Sequence, residues 1–191
     1  QIAIYGDYDV DGITATALLV HFLSTLNGNV RYHIPHRVQE GYGLNGKALR
    51  RLHSQGVTLV ITVDCGSSDH EAIQLAGELG IDVIVTDHHS VGPSLPSASV
   101  IINPKQSDCQ YPFKELAGVG VAFKLAQALL RSNCQVPVAP AEVGLVEDDL
   151  LDLVALGTVA DLAPLLGENR ALVRRGRASM SAPSSRFREI A

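Results

Sequence analysis

Five short apolar runs rich in β-branched residues alternate with longer segments of helical periodicity, and this alternation constrains the fold more than any other feature. It is typical of a parallel sheet covered by helices on both faces. Leu59–Val63 and Val83–Val85 are apolar on both sides, as central parallel strands are. The predicted strands are Ile2–Tyr5, Val30–Ile34, Leu59–Val63, Asp82–Thr86 and Ser99–Ile102, and the predicted helices between them are Ile13–Leu26, Gly46–Gln55 and Asp69–Leu79.

After residue 103 the sequence predicts helices only, at Gly118–Ser132, Glu147–Ala160 and Glu168–Ala178, with a proline-bearing connector at Pro137 and Pro140. The predicted fold class is therefore α/β: an open, mainly parallel five-stranded, Rossmann-like sheet followed by an all-helical C-terminal part. With 46% of 191 residues apolar, the chain can bury the core of one such domain.

Composition excludes several classes of protein. A net charge of −5 argues against binding nucleic acid by overall charge, and 5% aromatic residues disfavour a base-stacking module. Three cysteines without a Cys-x-x-Cys pair fit neither a disulfide framework nor a thiolate zinc site, so we expect a cytoplasmic location. No apolar run is long enough to span a membrane. The chain opens directly on a strand, so we expect a piece of a longer protein.

Three carboxylates at alternate positions, Asp7, Asp9 and Asp11, follow the first predicted strand. An extended segment would place them on one side, where their repulsion requires cations or protons. The same pattern, Asp-x-Asp-x-Asp-Gly, also begins an EF-hand calcium loop. That loop requires a glutamate at its twelfth position, which is Leu18 here.

Two further strands also end in polar ligand-type residues. Asp64 follows the third predicted strand, and Asp87–His89 follows the fourth. A lone acid at a strand end is usually a helix cap, but three such ends meet at the edge where open α/β sheets bind ligands. Carboxylates with imidazoles suit magnesium or manganese.

The motifs Gly6–Gly12, Val63–Gly66, Asp87–His89 and Ala155–Asp161 together resemble the DHH phosphoesterase superfamily and, within it, the bacterial single-strand-specific exonucleases. Supporting stretches are 33–37, 40–45, 103–105 and 116–124. The resemblance covers residues 1–176 and implies a catalytic domain there, whereas 177–191, predicted as a helical tail, matches weakly. The family's second, substrate-binding domain is expected to be missing from this chain.

The resemblance implies a centre of two Mn²⁺ or Mg²⁺ ions, with Asp64 bridging them. The implied metal ligands are Asp9, Asp11, Asp64, His88 and Asp161. Asp161 carries no signal of its own. The implied catalytic residues are His89, facing the scissile phosphate, Asp87, orienting a histidine, and Asp7, a ligand or a partner of one. A related pyrophosphatase branch has a histidine where this chain has Tyr5, so one ion could be held more loosely or by Asp7.

Other positions admit a functional and a structural interpretation. Arg37 and Tyr42 could contact an incoming strand, or be a surface charge and a packing residue. Gly118–Lys124 suggests a phosphate loop but lacks the Gly-Lys-Ser/Thr ending, which favours a tight turn and close helix packing. Glu147–Asp149 suggests helix capping. Six arginines against one glutamate in residues 170–191 could form a phosphate-binding face, a solvated face or an interdomain contact.

The function implied is 5′-to-3′ exonuclease action on single-stranded DNA in repair and recombination, with single-strand-binding protein as a further partner. We expect the isolated piece to be weakly active. One alternative is a phosphodiesterase of the same superfamily acting on short oligonucleotides or cyclic dinucleotides. Another is a non-catalytic replication scaffold of the same fold.

Overall fold

A computed structural model describes residues 1–132 and 144–181 of the chain. Its centre is a five-stranded sheet in the order β2-β1-β3-β4-β5, in which every pairing is parallel. The predicted α/β sheet is therefore confirmed. The strands are β1 (Ile2–Tyr5), β2 (Val30–His33), β3 (Leu59–Val63), β4 (Asp82–Thr86) and β5 (Val100–Ile102).

Helices cover both faces of the sheet, as predicted. Alternate residues of β1 show why: Ile4 packs into the core under α1, α4, α5 and α6, whereas Ala3 and Tyr5 pack into the core under α2 and α3. The described elements after β5 are all helical. The helices are α1 (Val10–Thr25), α2 (Gly46–Ser54), α3 (His70–Glu78), α4 (Gly118–Arg131), α5 (Leu151–Ala160) and α6 (Gly167–Met180), and a 3₁₀ turn (Glu147–Leu150) precedes α5.

Two helix starts differ from the prediction by three residues or more, and those of α3 and α6 differ by one residue. Helix α1 begins three residues earlier, at Val10, because the side chain of Asp9 accepts a hydrogen bond from the Gly12 amide and caps the helix. The acidic stretch Glu147–Asp149 forms the 3₁₀ turn rather than the first turn of α5. Within that turn the Asp149 side chain accepts a hydrogen bond from the Val146 amide. Pro137, Pro140 and the tail beyond residue 181 lie outside the described residues.

The strand order creates one crevice at the carboxyl edge of the sheet. The chain leaves β1 towards β2 on one side, and β3 lies on the other, so the loops after β1 and β3 diverge there. Sheets of this order bind ligands at that point. Asp7 and Asp64 stand at this position. Among the described helices, none has both the length and the apolar character needed to cross a bilayer.

Candidate metal centre

The three acids after β1 do not share one side of an extended segment, and that expectation is wrong. Asp7 lies in the loop, Asp9 caps α1, and Asp11 lies within the first turn of the helix. The helical turn carries the Asp11 side chain towards α4, where its carboxylate accepts hydrogen bonds from the amides of Gly118 (2.6 Å) and Val119 (2.8 Å). A carboxylate bound at a helix start is stabilised by the helix dipole.

The start of α4 is therefore occupied by a side chain of the protein. A Cβ at Gly118 would stand 2.6 Å from Oδ1 of Asp64, which excludes any larger residue there. The prediction that Gly118 serves close packing agrees with this contact. The packing partner of Gly118, however, is the carboxylate of Asp64 and not an apolar helix face. The sequence did not indicate this partner.

Asp64 is the most unusual residue of the site. Its backbone φ of 62° is left-handed, a conformation that is uncommon outside glycine, although asparagine and aspartate adopt it more readily than other residues. Its side chain is buried, and neither carboxylate oxygen accepts a hydrogen bond. Burial, together with the nearby charges of Asp11 and Asp9, raises the pKa of Asp64 to about 10. A buried carboxyl group without donors is a strong candidate to bind a cation.

His88 connects Asp64 to the other acids. Its Nε2 atom lies 3.0 Å from Oδ1 of Asp64 and 3.8 Å from Oδ2 of Asp11, and its Nδ1 lies 4.0 Å from Oδ2 of Asp161. Nε2 makes no hydrogen bond of good geometry with any of them. Burial raises the pKa of Asp11 to about 6, although the two α4 amides oppose this shift, and burial also raises the pKa of Asp161.

Within the described residues, three groups of side chains place one potential ligand atom each within 4.8 Å of the others. Asp64 belongs to two of these groups, and so does His88. Every residue predicted as a metal ligand belongs to at least one. The groups are Asp7, Asp9 and Asp64; Asp11, His88 and Asp161; and Asp64, His88 and His89.

Asp87, by contrast, is saturated with hydrogen bonds. Its carboxylate accepts from the amides of Ser67 (2.9 Å), His88 (2.7 Å) and His89 (3.1 Å). Its Oδ1 also lies 2.8 Å from Nδ1 of His89. Burial alone would raise the pKa of Asp87, but these hydrogen bonds outweigh it and hold that pKa well below its usual range. The hydrogen bond to Asp87 raises the pKa of His89 to about 9.

The two predicted substrate contacts lie at different depths. The Tyr42 hydroxyl donates to the backbone carbonyl of Asp64 (3.4 Å) and lies 3.2 Å from Nδ1 of His89, so Tyr42 belongs to the wall of the site. Arg37 is exposed and stacks over the Tyr8 ring at 5.2 Å from its centroid. Tyr42, Asp87 and His89 help to line a pocket of about 390 Å³.

Sequence reasoning gave no role to two polar residues next to the centre, although both lie in a stretch that it quoted. Lys105 lines a small pocket of about 180 Å³ together with His88 and Asp161. Asn103 is buried and donates to the Ser67 hydroxyl and to the His89 carbonyl, both at 2.9 Å. Because Ser67 and His89 both bind Asp87, Asn103 fixes their arrangement. A polar Asn-Pro-Lys run directly after a strand was the available signal.

Tyr5 does not serve the centre directly. Its buried hydroxyl donates to the Gly43 carbonyl (3.2 Å) and accepts from the Asn45 amide (3.2 Å). Tyr5 therefore anchors the loop that carries Tyr42.

Comparison with known proteins places this arrangement in a family. The sequence model described as the DHH family, N-terminal domain, matches residues 1–158. The single-stranded-DNA-specific exonuclease RecJ of Bacillus subtilis is 52% identical over 177 residues, which are 92% of this chain and 21% of that protein. RecJ of Escherichia coli is 45% identical over 197 residues, which are 97% of this chain and 33% of that protein.

A crystal structure of exonuclease RecJ bound to manganese superposes with a TM-score of 0.78 at 41% identity, covering 94% of this chain and 43% of that one. The chain thus spans about a fifth to a third of the length of the two curated relatives. Because the family's sequence model matches more than three quarters of the residues, the chain belongs to the DHH family.

Proposed function

We propose that residues 1–176 are the catalytic domain of a metal-dependent exonuclease that hydrolyses phosphodiester bonds of single-stranded DNA from the 5′ end. The observation that carries the proposal is Asp64, a buried carboxylate without hydrogen-bond donors that belongs to two of the three groups of potential metal ligands. Relatives named as single-stranded-DNA-specific exonucleases support the choice of substrate.

The side chains present fit two Mn²⁺ or Mg²⁺ ions. Buried ligand atoms without hydrogen-bond partners include both oxygens of Asp64, Oδ1 of Asp7 and Nε2 of His88. Carboxylate oxygens with an imidazole are ligands that these ions accept. Asp7, Asp9 and Asp64 would hold one ion, and Asp11, His88 and Asp161 the other. Asp64 lies beside both sets and would bridge them.

When bound, such ions polarise a phosphate and lower the pKa of a coordinated water. The protein contributes position and proton control. Nδ1 of His89 is bonded to Asp87, so Nε2 is the atom of His89 that can hold a proton towards a phosphate oxygen. Asp87 orients this ring and is a positioning residue. The cationic Lys105 is placed to attract a phosphate, and Tyr42 and Arg37 to orient the strand.

The proposal includes a cellular setting. In the cytoplasm the two described cysteines, Cys65 and Cys109, which form no disulfide with each other, would remain thiols. Single-stranded DNA is the proposed substrate, and single-strand-binding protein a proposed partner. Residues 177–191 are proposed to lie outside the catalytic unit, and a second domain to complete the cleft.

Manganese titration by calorimetry tests the centre directly. The wild-type chain should bind two ions, and Asp64→Asn should weaken both, by at least 10-fold to 100-fold, since loss of an outer-sphere partner alone has that effect. Asp108→Asn, which changes an exposed acid that belongs to none of the three ligand groups, is the matched control. Binding by Asp64→Asn equal to that of the control would contradict the proposed centre.

Strand specificity is tested separately, in the longest natural protein that contains this chain. Single-stranded and duplex DNA labelled at the 5′ or the 3′ end should be compared in the presence of manganese. Early release of the 5′ label from the single strand alone is expected. Early release of the 3′ label, or equal digestion of the duplex, would contradict the proposed specificity while leaving the metal centre intact.

A further inference from the structure

Helix α6 separates its charged side chains onto two flanks. Its buried stripe, which packs towards α5, consists of Asn169, Leu172, Val173 and Gly176. On one side of this stripe lie Glu168 and Arg175, which are seven residues apart. On the other side lie three exposed arginines at helical spacing: Arg170, Arg174 and Arg177. The flank of these three arginines is called the arginine stripe below.

The charges on the first flank are neutralised. Glu168 pairs with Lys124 of α4 and accepts a hydrogen bond from the Tyr111 hydroxyl at 2.7 Å. Arg175 pairs with Asp148 of the 3₁₀ turn. Nearby, Arg131 binds Glu147 at 2.7 Å. Glu147, Asp148 and Glu168 therefore each have a basic partner.

The arginine stripe lacks such partners. Within residues 1–132 and 144–181, none of its three guanidinium groups forms an ion pair. Three like charges along about 10 Å of helix repel one another, because seven residues rise by about that length. In a chain whose net charge is −5, this concentration of positive charge has no acidic partner in the part of the chain that the structure describes.

The first turn of α6 is hydrogen-bonded to Glu115 and Pro164, which line the same small pocket as His88 and Asp161. Helix α6 starts six residues after Asp161. The buried side chain of Asn169 donates to the Pro164 carbonyl (3.1 Å) and to the Glu115 carbonyl (2.6 Å), which fixes the first turn of α6 against the loop that follows Asp161. Arg170 lies in the first turn of α6, nearest to that loop, and Arg174 and Arg177 lie one and two turns further along the helix.

We infer that the arginine stripe binds the phosphate backbone of the single-stranded nucleic acid whose end lies in the metal centre. Guanidinium groups suit phosphates because they donate two parallel hydrogen bonds and stay charged. The inference rests on the proposed function for the nature of the substrate. It adds that the strand leaves the centre along α6, and that these contacts set the affinity for long strands without reading their sequence.

The test compares two double variants that remove the same charge. Arg170→Gln/Arg174→Gln removes part of the stripe, whereas Arg131→Gln/Arg175→Gln removes two arginines that already have acidic partners. Binding of a fluorescently labelled oligothymidylate is measured by anisotropy over a series of salt concentrations. A chelator prevents cleavage. Thermal unfolding of each variant verifies that it is folded.

The stripe variant should weaken binding about fivefold for each arginine at about 0.1 M salt, or roughly 25-fold in all. The slope of log Kd against log salt should fall by about 0.7 for each arginine, since each contact with a single strand releases counterions. The control variant should bind like the wild type. Equal slopes for the two variants, or no binding by the wild type, would overturn the inference.

Hydrolysis of a dinucleotide with manganese separates this inference from the proposed function. A dinucleotide occupies the centre but is too short to follow α6, so both variants should hydrolyse it like the wild type. The assay uses the longest natural protein that contains this chain, and if no form of that protein hydrolyses the dinucleotide while the binding difference persists, the proposed hydrolysis fails and the binding surface stands. If the stripe variant loses dinucleotide hydrolysis as well, the arginines act in the centre and the inferred path is wrong.

Discussion

The ends of the neighbouring strands β3 and β4 each carry a buried aspartate, and the two are in opposite states. Asp87, after β4, accepts four hydrogen bonds, and its pKa lies well below the usual range. Asp64, after β3, accepts none, and its pKa rises to about 10. The two share residue type, burial and position in the sheet, so the difference arises from the donors around Asp87 and from the acids around Asp64.

This contrast distinguishes an acid that builds the site from one that is available to a ligand. Asp87 is satisfied by the protein itself and holds the backbone turn and the imidazole of His89 in place. Asp64 is held in a left-handed backbone conformation with its oxygens unsatisfied, a cost that remains until a cation or a proton arrives. Substitutions at the two positions should therefore have opposite effects.

The largest expected effect on stability is that of Asp87→Asn. An asparagine retains one acceptor oxygen and directs an amide group at donors that the carboxylate now accepts, so the free energy of unfolding should fall by about 3 kcal/mol. Urea unfolding in the presence of a chelator measures this change. Asp108→Asn should leave the unfolding curve unchanged. A loss for Asp87→Asn no greater than that of this control would remove the contrast between the two acids.

Manganese should have the next largest effect. At about 100 times its Kd, a bound ion raises the free energy of unfolding by about 2.7 kcal/mol. Thermal unfolding with and without manganese should show this gain for the wild type and little of it for Asp64→Asn. An undiminished gain for Asp64→Asn would mean that the ion is held elsewhere.

The pH dependence of the metal-free chain tests the sign of each pKa shift. Asp64 keeps its proton in the folded state up to about pH 10, whereas the unfolded chain releases it above about pH 4, so stability should fall as pH rises through this window. Asp87 acts in the opposite sense, and its contribution is present above about pH 4 and lost below it.

Urea unfolding of wild type and Asp64→Asn at a series of pH values isolates the first of these contributions. The difference between the two proteins should grow with pH in favour of Asp64→Asn. Parallel curves across the window would show that Asp64 is ionised in the metal-free fold.

Tyr42→Phe should have the smallest effect on stability, below about 0.5 kcal/mol, because this half-exposed hydroxyl makes only long contacts. Those contacts join the two strand ends, one to the Asp64 carbonyl and one to the His89 ring. Tyr42→Phe removes both contacts, and a loss of about 1 kcal/mol in the positioning of the His89 ring should lower the rate of DNA cleavage about fivefold. A stability loss as large as that of Asp87→Asn would instead make Tyr42 a structural residue.

The positions of Asp64 and Asp87 could be predicted from the sequence because each follows a short apolar run of β-branched residues, which is typical of a buried strand. Leu59–Val63 and Asp82–Thr86 were predicted with the bounds that the structure shows, and the polar residues directly after them had to meet at one sheet edge. Their opposite states could not be predicted. The donors to Asp87 depend on the turn around Ser67, and no pattern of residues indicates the left-handed conformation of Asp64.

The contributions from distant parts of the chain were also beyond local patterns. Asp11 and the amides of Gly118 and Val119 meet only in the tertiary structure, and the alternation of acids after β1 wrongly suggested an extended segment. Asp161 ends an apolar helix without any neighbouring ligand in sequence. Asp161 was found through resemblance to a family. Its contacts are with residues far away in the sequence, and such contacts produce no local pattern of residues.

The amide contacts to Asp11 have a consequence for how the chain folds. They join the first turn of α1 to the first turn of α4, so the centre is complete only when the early and late parts of the chain have met. Closing so long a loop is slow compared with forming a helix. We therefore expect the centre to be completed late in folding, so that manganese added to a refolding chain binds only after α1 and α4 have packed together.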